Sequence, residues 1–389
     1  MEALLPFYNQ RLRETTIDFL RYNFLKINWN NRLIGLTGPR GVGKTTLVLQ
    51  HIKRNLNPDE SLYVTAEDFF FAENRLFDLA DSFVKRGGKH LVIDEIHKYK
   101  EWSKELKLIY DFFPKLNVIF TGSSVLDIKK GVADLSRRAV MHTMQGLSFR
   151  EYLQFFHNIE TPEFSLDEIL SHKAEIKGVE HPLPLFEDYL QRGYYPFAKE
   201  NDYEQRLQQI VNQTLEVDIP LFSEMNMAMG YKLKQLLAII ARSVPFKPNF
   251  SKIAGMIGVS RNSIADYCLL LEEAGMITQL RDRVGGIRSL AKVNKVYLDN
   301  TNLIYALAGK NQDIGNISET FFINQLRTKH DVIASPVSDF MIDGRTFEVG
   351  GKSKNQKQIT TLQNAYIVKD NIEFGYQNIV PLWALGLNY

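Results

Sequence analysis

The amino-acid sequence predicts an α/β protein. A mostly parallel sheet covered by helices is expected first, then a helical connector, a helix–turn–helix unit with a small hairpin, and a short α/β unit. Short apolar runs alternate with helical periodicity through the first 155 residues, the pattern of strands joined by crossover helices. The chain has 389 residues, 44% hydrophobic and 24% charged, which fits two or three globular domains. Its character then shifts near 156, 246 and 301. The expected domains are 1–155, 156–245, 246–300 and 301–389.

Along the chain, Leu4, Leu5, Leu12, Ile17, Leu20 and Leu25 fall at helical spacing, so the first thirty residues are expected to be helix. RLIGLTGPRGVGKTTLVLQHIKRNL reads as strand, glycine-rich turn and helix. Further strands are expected at 61–68, 89–97, 117–124 and 139–145, with a helix over 74–86 closed by Gly87-Gly88. Between 156 and 245 the readable pieces are helical, at 186–192, 203–217 and 229–243. SKIAGMIG and VSRNSIADYCLLLEEAGMI are two helical runs parted at Gly258, and a charged hairpin-like stretch follows them. That order is the winged-helix pattern. Residues 317–389 read as helix, three strands and a terminal apolar run.

Composition excludes several classes. Forty-seven basic and forty-five acidic residues leave a formal charge of +2, so any nucleic-acid surface must be local. The single cysteine, Cys268, excludes an internal disulfide and a cysteine-only metal cluster. The N-terminal segment carries Glu2, Arg11, Arg13 and Glu14 and has no uninterrupted apolar core of a secretion signal. With no run of about eighteen apolar residues, no membrane association is expected, and the expected location is cytoplasmic.

GPRGVGKT at 38–45 completes the pattern G-x-x-x-x-G-K-[ST]. Gly38, Gly41 and Gly43 let the backbone wrap a phosphate group, with Pro39, Arg40 and Val42 between them. Lys44 supplies a point charge to the terminal phosphates. Thr45, followed by Thr46, places a hydroxyl on Mg²⁺ at a helix start. HLVIDEIH delivers Asp94 and Glu95 to a strand end, Asp94 for the Mg²⁺ shell and Glu95 to polarise a water. Thr121 and Ser123 end the next strand, as γ-phosphate sensors or as caps of the helix after it. Arg137 and Arg138 are either a finger on a nucleotide, in cis or from a neighbouring subunit, or a solvated pair. His97 and Trp102 are read as packing or coupling residues.

The runs IDEIHKYKEWSKELK, FTGSSVLDI, LSRRA and LSFREYL resemble an AAA-type P-loop ATPase family of prokaryotes. Its members carry a C-terminal domain of uncharacterised function with a winged helix and a nuclease-like fold. The resemblance implies ATP and Mg²⁺ as cofactors, with Lys44 and Thr45 on the phosphate loop, Asp94 and Glu95 on the acidic strand and Ser123 as sensor. LSFREYLQF at 147–155 corresponds to the exit from the ATPase core.

In the winged-helix stretch, Arg261 and Asn262 begin the expected recognition helix, and Arg281, Arg283 and Arg288 surround a Gly-Gly wing tip. Nine basic against four acidic residues between 242 and 295 allow contact with double-stranded DNA, but such domains also dock proteins. Glu319, Asp339, Glu348 and Lys352 invite comparison with a metal-dependent nuclease site. The usual lysine place, two after the glutamate, is Gly350, and Asp343 could replace Asp339. An inactivated fold is therefore expected, with Lys352, Lys354 and Lys357 either touching a phosphate backbone or solvated. The expected activity is ATP hydrolysis that repositions the C-terminal region, in a chain that could form a homo-oligomer. The alternatives are a nucleotide-dependent docking module with little turnover, or an ATP-licensed DNA nuclease.

Overall fold

A computed structural model describes residues 1–122, 135, 137–220, 227–242, 249–282, 292–308, 314–350 and 364–389; Ser123, Arg283, Arg288, Lys352, Lys354 and Lys357 lie outside these. The chain forms two compact units, Met1–Gly146 and Leu147–Tyr389.

The first unit is built on five parallel strands: β1 (Leu33–Thr37), β2 (Ser61–Thr65), β3 (His90–Asp94), β4 (Asn117–Gly122) and β5 (Val140–Thr143). Their order is β2-β3-β4-β1-β5. This is the sheet of a P-loop NTPase, in which a strand separates the phosphate-loop strand from the acidic strand. Every residue of β1 is buried, as its continuous apolar run requires of a strand covered on both faces. Between β1 and β3, β4 pairs Leu36 with Thr121 on one side and Ile93 with Phe120 on the other.

Among the described residues, helices α1 (Leu5–Glu14), α2 (Tyr22–Lys26), α3 (Lys44–Asn55), α4 (Phe70–Glu73), α5 (Leu76–Lys85) and α6 (Trp102–Phe112) pack in this unit. The single N-terminal helix expected over the first thirty residues is two helices. Thr15 ends α1 in an extended conformation, its hydroxyl donating to the Arg11 carbonyl at 2.8 Å. Lys53 of α3 donates to the carbonyl of Thr15 at 2.6 Å. A β-branched pair, Thr15-Thr16, thus meets an acceptor-hungry lysine where helical spacing alone predicted continuity.

The second unit gathers the three regions expected as separate domains at 156–245, 246–300 and 301–389, and it takes the stretch 147–155 as well. Ser148 and Glu151 form a reciprocal capping box that starts the helix Phe149–His157. Phe149 packs edge-on to Phe186 and Tyr189, at ring-centroid distances of 5.3 and 5.6 Å. By these aromatic contacts LSFREYLQF packs within the second compact unit. The helices Phe250–Ile257 and Arg261–Glu273 precede an antiparallel pair, β6 (Ile277–Arg281) and β7 (Val293–Leu298). A second sheet has the order β12-β11-β10-β9-β8, with β8 (Ile333–Ala334), β9 (Phe340–Ile342), β10 (Arg345–Gly350), β11 (Ala365–Lys369) and β12 (Ile379–Pro381). β10 to β12 are parallel; β8 and β9 are antiparallel additions. Phe322, on the helix Ile314–Leu326, stacks on Phe340 at 4.6 Å. Among the described residues no helix is long and apolar enough to cross a membrane.

Candidate functional site

The glycine-rich loop joins β1 to α3, and three of its residues adopt positive φ: Gly38 (148°), Gly41 (85°) and Gly43 (97°). At Gly38 the requirement is also steric, since a Cβ there would lie 2.1 Å from the Met144 carbonyl oxygen. Lys44, the first residue of α3, is buried, and its ammonium donates to the carbonyls of Gly38 (2.8 Å) and Pro39 (2.9 Å). The lysine therefore sits inside the curl of the loop, where phosphate oxygens are expected. Arg40 is half-buried, Val42 buried and Thr46 exposed.

Arg21 braces this loop, a role that no local motif announces. Its buried guanidinium donates to the carbonyls of Val42 (2.7 Å), Gln145 (2.8 Å) and Gly146 (2.8 Å). One side chain from the segment before α2 thereby fixes the loop against the chain leaving β5.

Asp94 ends β3 and is 5% exposed. Three hydroxyls converge on its carboxylate. Thr45 donates to Oδ2 at 2.7 Å, Tyr63 donates to Oδ2 at 2.8 Å, and Thr121 donates to Oδ1. The contact with Thr45 unites the two halves of the motif, which lie 49 residues apart. Two hard oxygens, Thr45 Oγ1 and Asp94 Oδ2, sit at the mouth of the glycine loop. That donor set fits Mg²⁺ held together with phosphate oxygens. Thr121 also accepts the Glu95 backbone N–H at 3.2 Å, so β4 ties both acids together. Glu95 itself has φ of 51°, the left-handed region that non-glycine residues enter at a cost. Its carboxylate lies 3.4 Å from the buried His97 ring. Trp102 is buried at the start of α6 and packs on Phe120, as expected of a core residue.

Arg137 and Arg138 are not brought to this loop. They precede β5, whose Val140 is level with Ile34 near the start of β1, while the glycine loop follows the other end of β1. At about 3.3 Å per residue, the two ends are roughly 15 Å apart. Arg138 engages Asp111, at the C-terminal end of α6, through two 3.0 Å contacts. A cis finger is thus excluded by strand polarity for the geometry described. Arg137 is exposed at the same sheet end.

In the second unit, Arg261 and Asn262 are exposed in the first turn of their helix, which Ser260 caps by accepting the Ser263 N–H at 3.1 Å. Asp266 and Leu269 are exposed on that helix too. Arg281 is engaged by Glu272 through contacts of 2.6 and 3.1 Å. Its charge is therefore locally matched.

Glu319 and Asp339 do come together, and the cation between them is Lys295 of β7, 3.0 Å from each carboxylate. Tyr297 donates to Glu319 at 2.6 Å, and the Val349 N–H to Asp339 at 3.0 Å. Glu348 accepts instead from the Ser338 hydroxyl. Among the described residues, no group of three or more His, Cys, Asp or Glu side chains could hold a metal. Burial pulls Lys295 down, but Glu319 and Asp339 together hold its ammonium above the ordinary lysine value. Lys295→Met is expected to destabilise the second unit by about 3–5 kcal/mol at neutral pH, because two carboxylates lose their shared cation. Burial, and then the charge of Asp339, raise the Glu319 carboxyl above the ordinary glutamate value; without the lysine it takes up a proton still more readily on acidification, so the gap in urea-unfolding stability from wild type should narrow toward pH 5. A loss that is the same at both pH values would contradict this account.

Residues 30–153 match the family described as an AAA domain, and residues 183–314 match a domain of unknown function. The uncharacterised protein MJ1637 of Methanocaldococcus jannaschii is 25% identical over 299 residues, covering 71% of this chain; the chain spans 63% of that relative's length. Solved structures similar to this chain include PCH-2 of C. elegans (14% identity, 70% of this chain and 66% of that one, TM-score 0.27). The Hsp104–ADP complex of S. cerevisiae is also similar (15% identity, 69% and 39%, TM-score 0.28). The P-loop sheet of the first unit thus lies within the stretch that matches an AAA domain, and residues 183–314 carry the match to a domain of unknown function.

Proposed function

We propose that this protein binds ATP with Mg²⁺ between the glycine loop and Asp94 and hydrolyses it to ADP and phosphate. The observation that carries the reading is the 2.7 Å contact between Thr45 and Asp94 at the mouth of a loop already curled around the Lys44 ammonium.

Backbone N–H groups between Arg40 and Thr45 and the Lys44 ammonium bind the phosphates, and the N-terminus of α3 favours their charge. Thr45 and Asp94 would hold Mg²⁺, which would neutralise charge on the phosphate oxygens. Glu95 orients a water in line with the γ-phosphorus and takes its proton as the bond to the bridging oxygen breaks. Thr121, through the Glu95 N–H and the Asp94 carboxylate, keeps the two acids in register. Arg137 or Arg138 can reach a nucleotide only from another copy of the chain, which makes the fully active species a homo-oligomer.

The second unit responds to the nucleotide as a docking region with a winged helix and a non-cleaving nuclease-like sheet. A protein partner is favoured over DNA there. Asp266 and Leu269 are exposed on the helix that would read bases, and Arg281 is matched by Glu272.

Steady-state phosphate release by the purified protein tests this reading. Mg²⁺-dependent ATP turnover that duplex DNA leaves unchanged is the expected result. No measurable affinity for ATP in the presence of Mg²⁺ would overturn the proposal. Stimulation by duplex DNA would overturn the preference for a protein partner.

A further inference from the structure

Tyr63 belongs to neither half of the phosphate-loop motif, yet it reaches the same carboxylate. It lies on β2, the edge strand beside β3, and its ring is 2% exposed. Register places Tyr63 against Val92 and Thr65 against Asp94, so the phenol extends along β2 toward the strand end. There its hydroxyl donates to Asp94 Oδ2 at 2.8 Å, the oxygen that also accepts from Thr45.

We propose that Tyr63 is a positioning residue for the Mg²⁺-facing carboxylate: its hydroxyl fixes the rotamer of Asp94 so that Oδ2 faces Thr45 before the cation arrives. This rests on the ATP reading above and extends it to a residue outside the motif. Thr121 holds Oδ1 and Tyr63 holds Oδ2, so both oxygens are anchored from the two strands that flank β3. Without Tyr63, Thr45 would be the remaining side-chain partner of Oδ2 among the described residues, and Thr45 is also the residue whose hydroxyl faces the cation. Outer contacts of this kind orient ligands and tune affinity for a metal more than they bind substrate.

Tyr63→Phe keeps the ring and removes only the donor. Fluorescent ATP binding is measured across a Mg²⁺ titration and again in EDTA, with thermal melting in EDTA to confirm the fold. The Mg²⁺ concentration for half-maximal enhancement of binding should rise about tenfold, within the range seen for such outer contacts. Affinity in EDTA should stay at the wild-type value. An unchanged Mg²⁺ midpoint in a variant whose wild type responds to Mg²⁺ overturns the proposal. An equal loss of affinity with and without Mg²⁺ also overturns it, since that is the mark of a structural role. If the wild-type protein itself binds no ATP, the underlying ATP reading fails instead.

Discussion

Glu95→Gln is expected to abolish turnover while leaving ATP bound. Glutamine keeps the length and shape of the side chain, so the backbone at φ 51° and the N–H contact with Thr121 at 3.2 Å have no reason to move. It cannot accept a proton from water, however. General-base catalysis of this kind contributes about 10²–10⁴-fold, and steady-state phosphate release should fall by that factor. Affinity for Mg·ATP should be retained, because the phosphate contacts come from the loop and Lys44. Purified variant incubated with ATP should therefore carry triphosphate where the wild type carries diphosphate, as chromatography of the extracted nucleotide would show. His97, 3.4 Å from the carboxylate, loses a charged neighbour in the variant. His97→Ala alone should consequently cost less than Glu95→Gln. A Glu95→Gln protein that turns over at the wild-type rate would remove Glu95 from the mechanism. If the wild type itself scarcely turns over and the substitution changes little, the chain is better described as a nucleotide-dependent docking module.

What could be read from the sequence follows how local each feature is. The residues from Gly38 to Thr45 are contiguous, and their spacing states their backbone geometry directly: the three glycines expected to curl the loop are the three with positive φ. Asp94 was legible because an apolar strand carries it to a carboxyl end. The hydroxyls around it were less so. Thr121 could be named from its own strand, but its contact with Asp94 depends on β4 lying between β1 and β3, which no local pattern encodes. Tyr63 looked like any aromatic residue of a buried strand, and Arg21 like a charge between two helices. Their partners lie 31 residues away for Tyr63 and up to 125 for Arg21. Lys295 counted toward a basic surface until its neighbours were known. Its acids come from a helix and a loop elsewhere in the unit, and counting charges along a chain cannot see pairing across a fold. Strand polarity was the one long-range fact within reach for Arg137 and Arg138. Residues before a parallel strand lie at the end of the sheet away from a loop that follows one.

Lys44→Ala should have the largest effect on binding, for two separable reasons. The first concerns the ligand. The ammonium is the one lysine charge inside the curl of the loop, and a charge-assisted contact is worth about 1.5–3 kcal/mol. Losing it should weaken Mg·ATP binding by at least about tenfold, and by about 100-fold at the upper end of that range. The second concerns the loop itself. In the protein as it stands the ammonium donates to the carbonyls of Gly38 and Pro39, at 2.8 and 2.9 Å, so it also holds the curl closed. Alanine leaves those two buried carbonyls without that donor and opens space at the start of α3. Lys44→Met separates the two contributions. Its stem fills the space, so thermal stability should lie between that of wild type and Lys44→Ala, but it carries no charge, so ATP affinity should fall as far as in the alanine variant. Calorimetric titration with Mg·ATP, paired with melting curves of the unliganded proteins, reads both. Should either variant bind Mg·ATP as tightly as wild type, the phosphates do not sit in this loop.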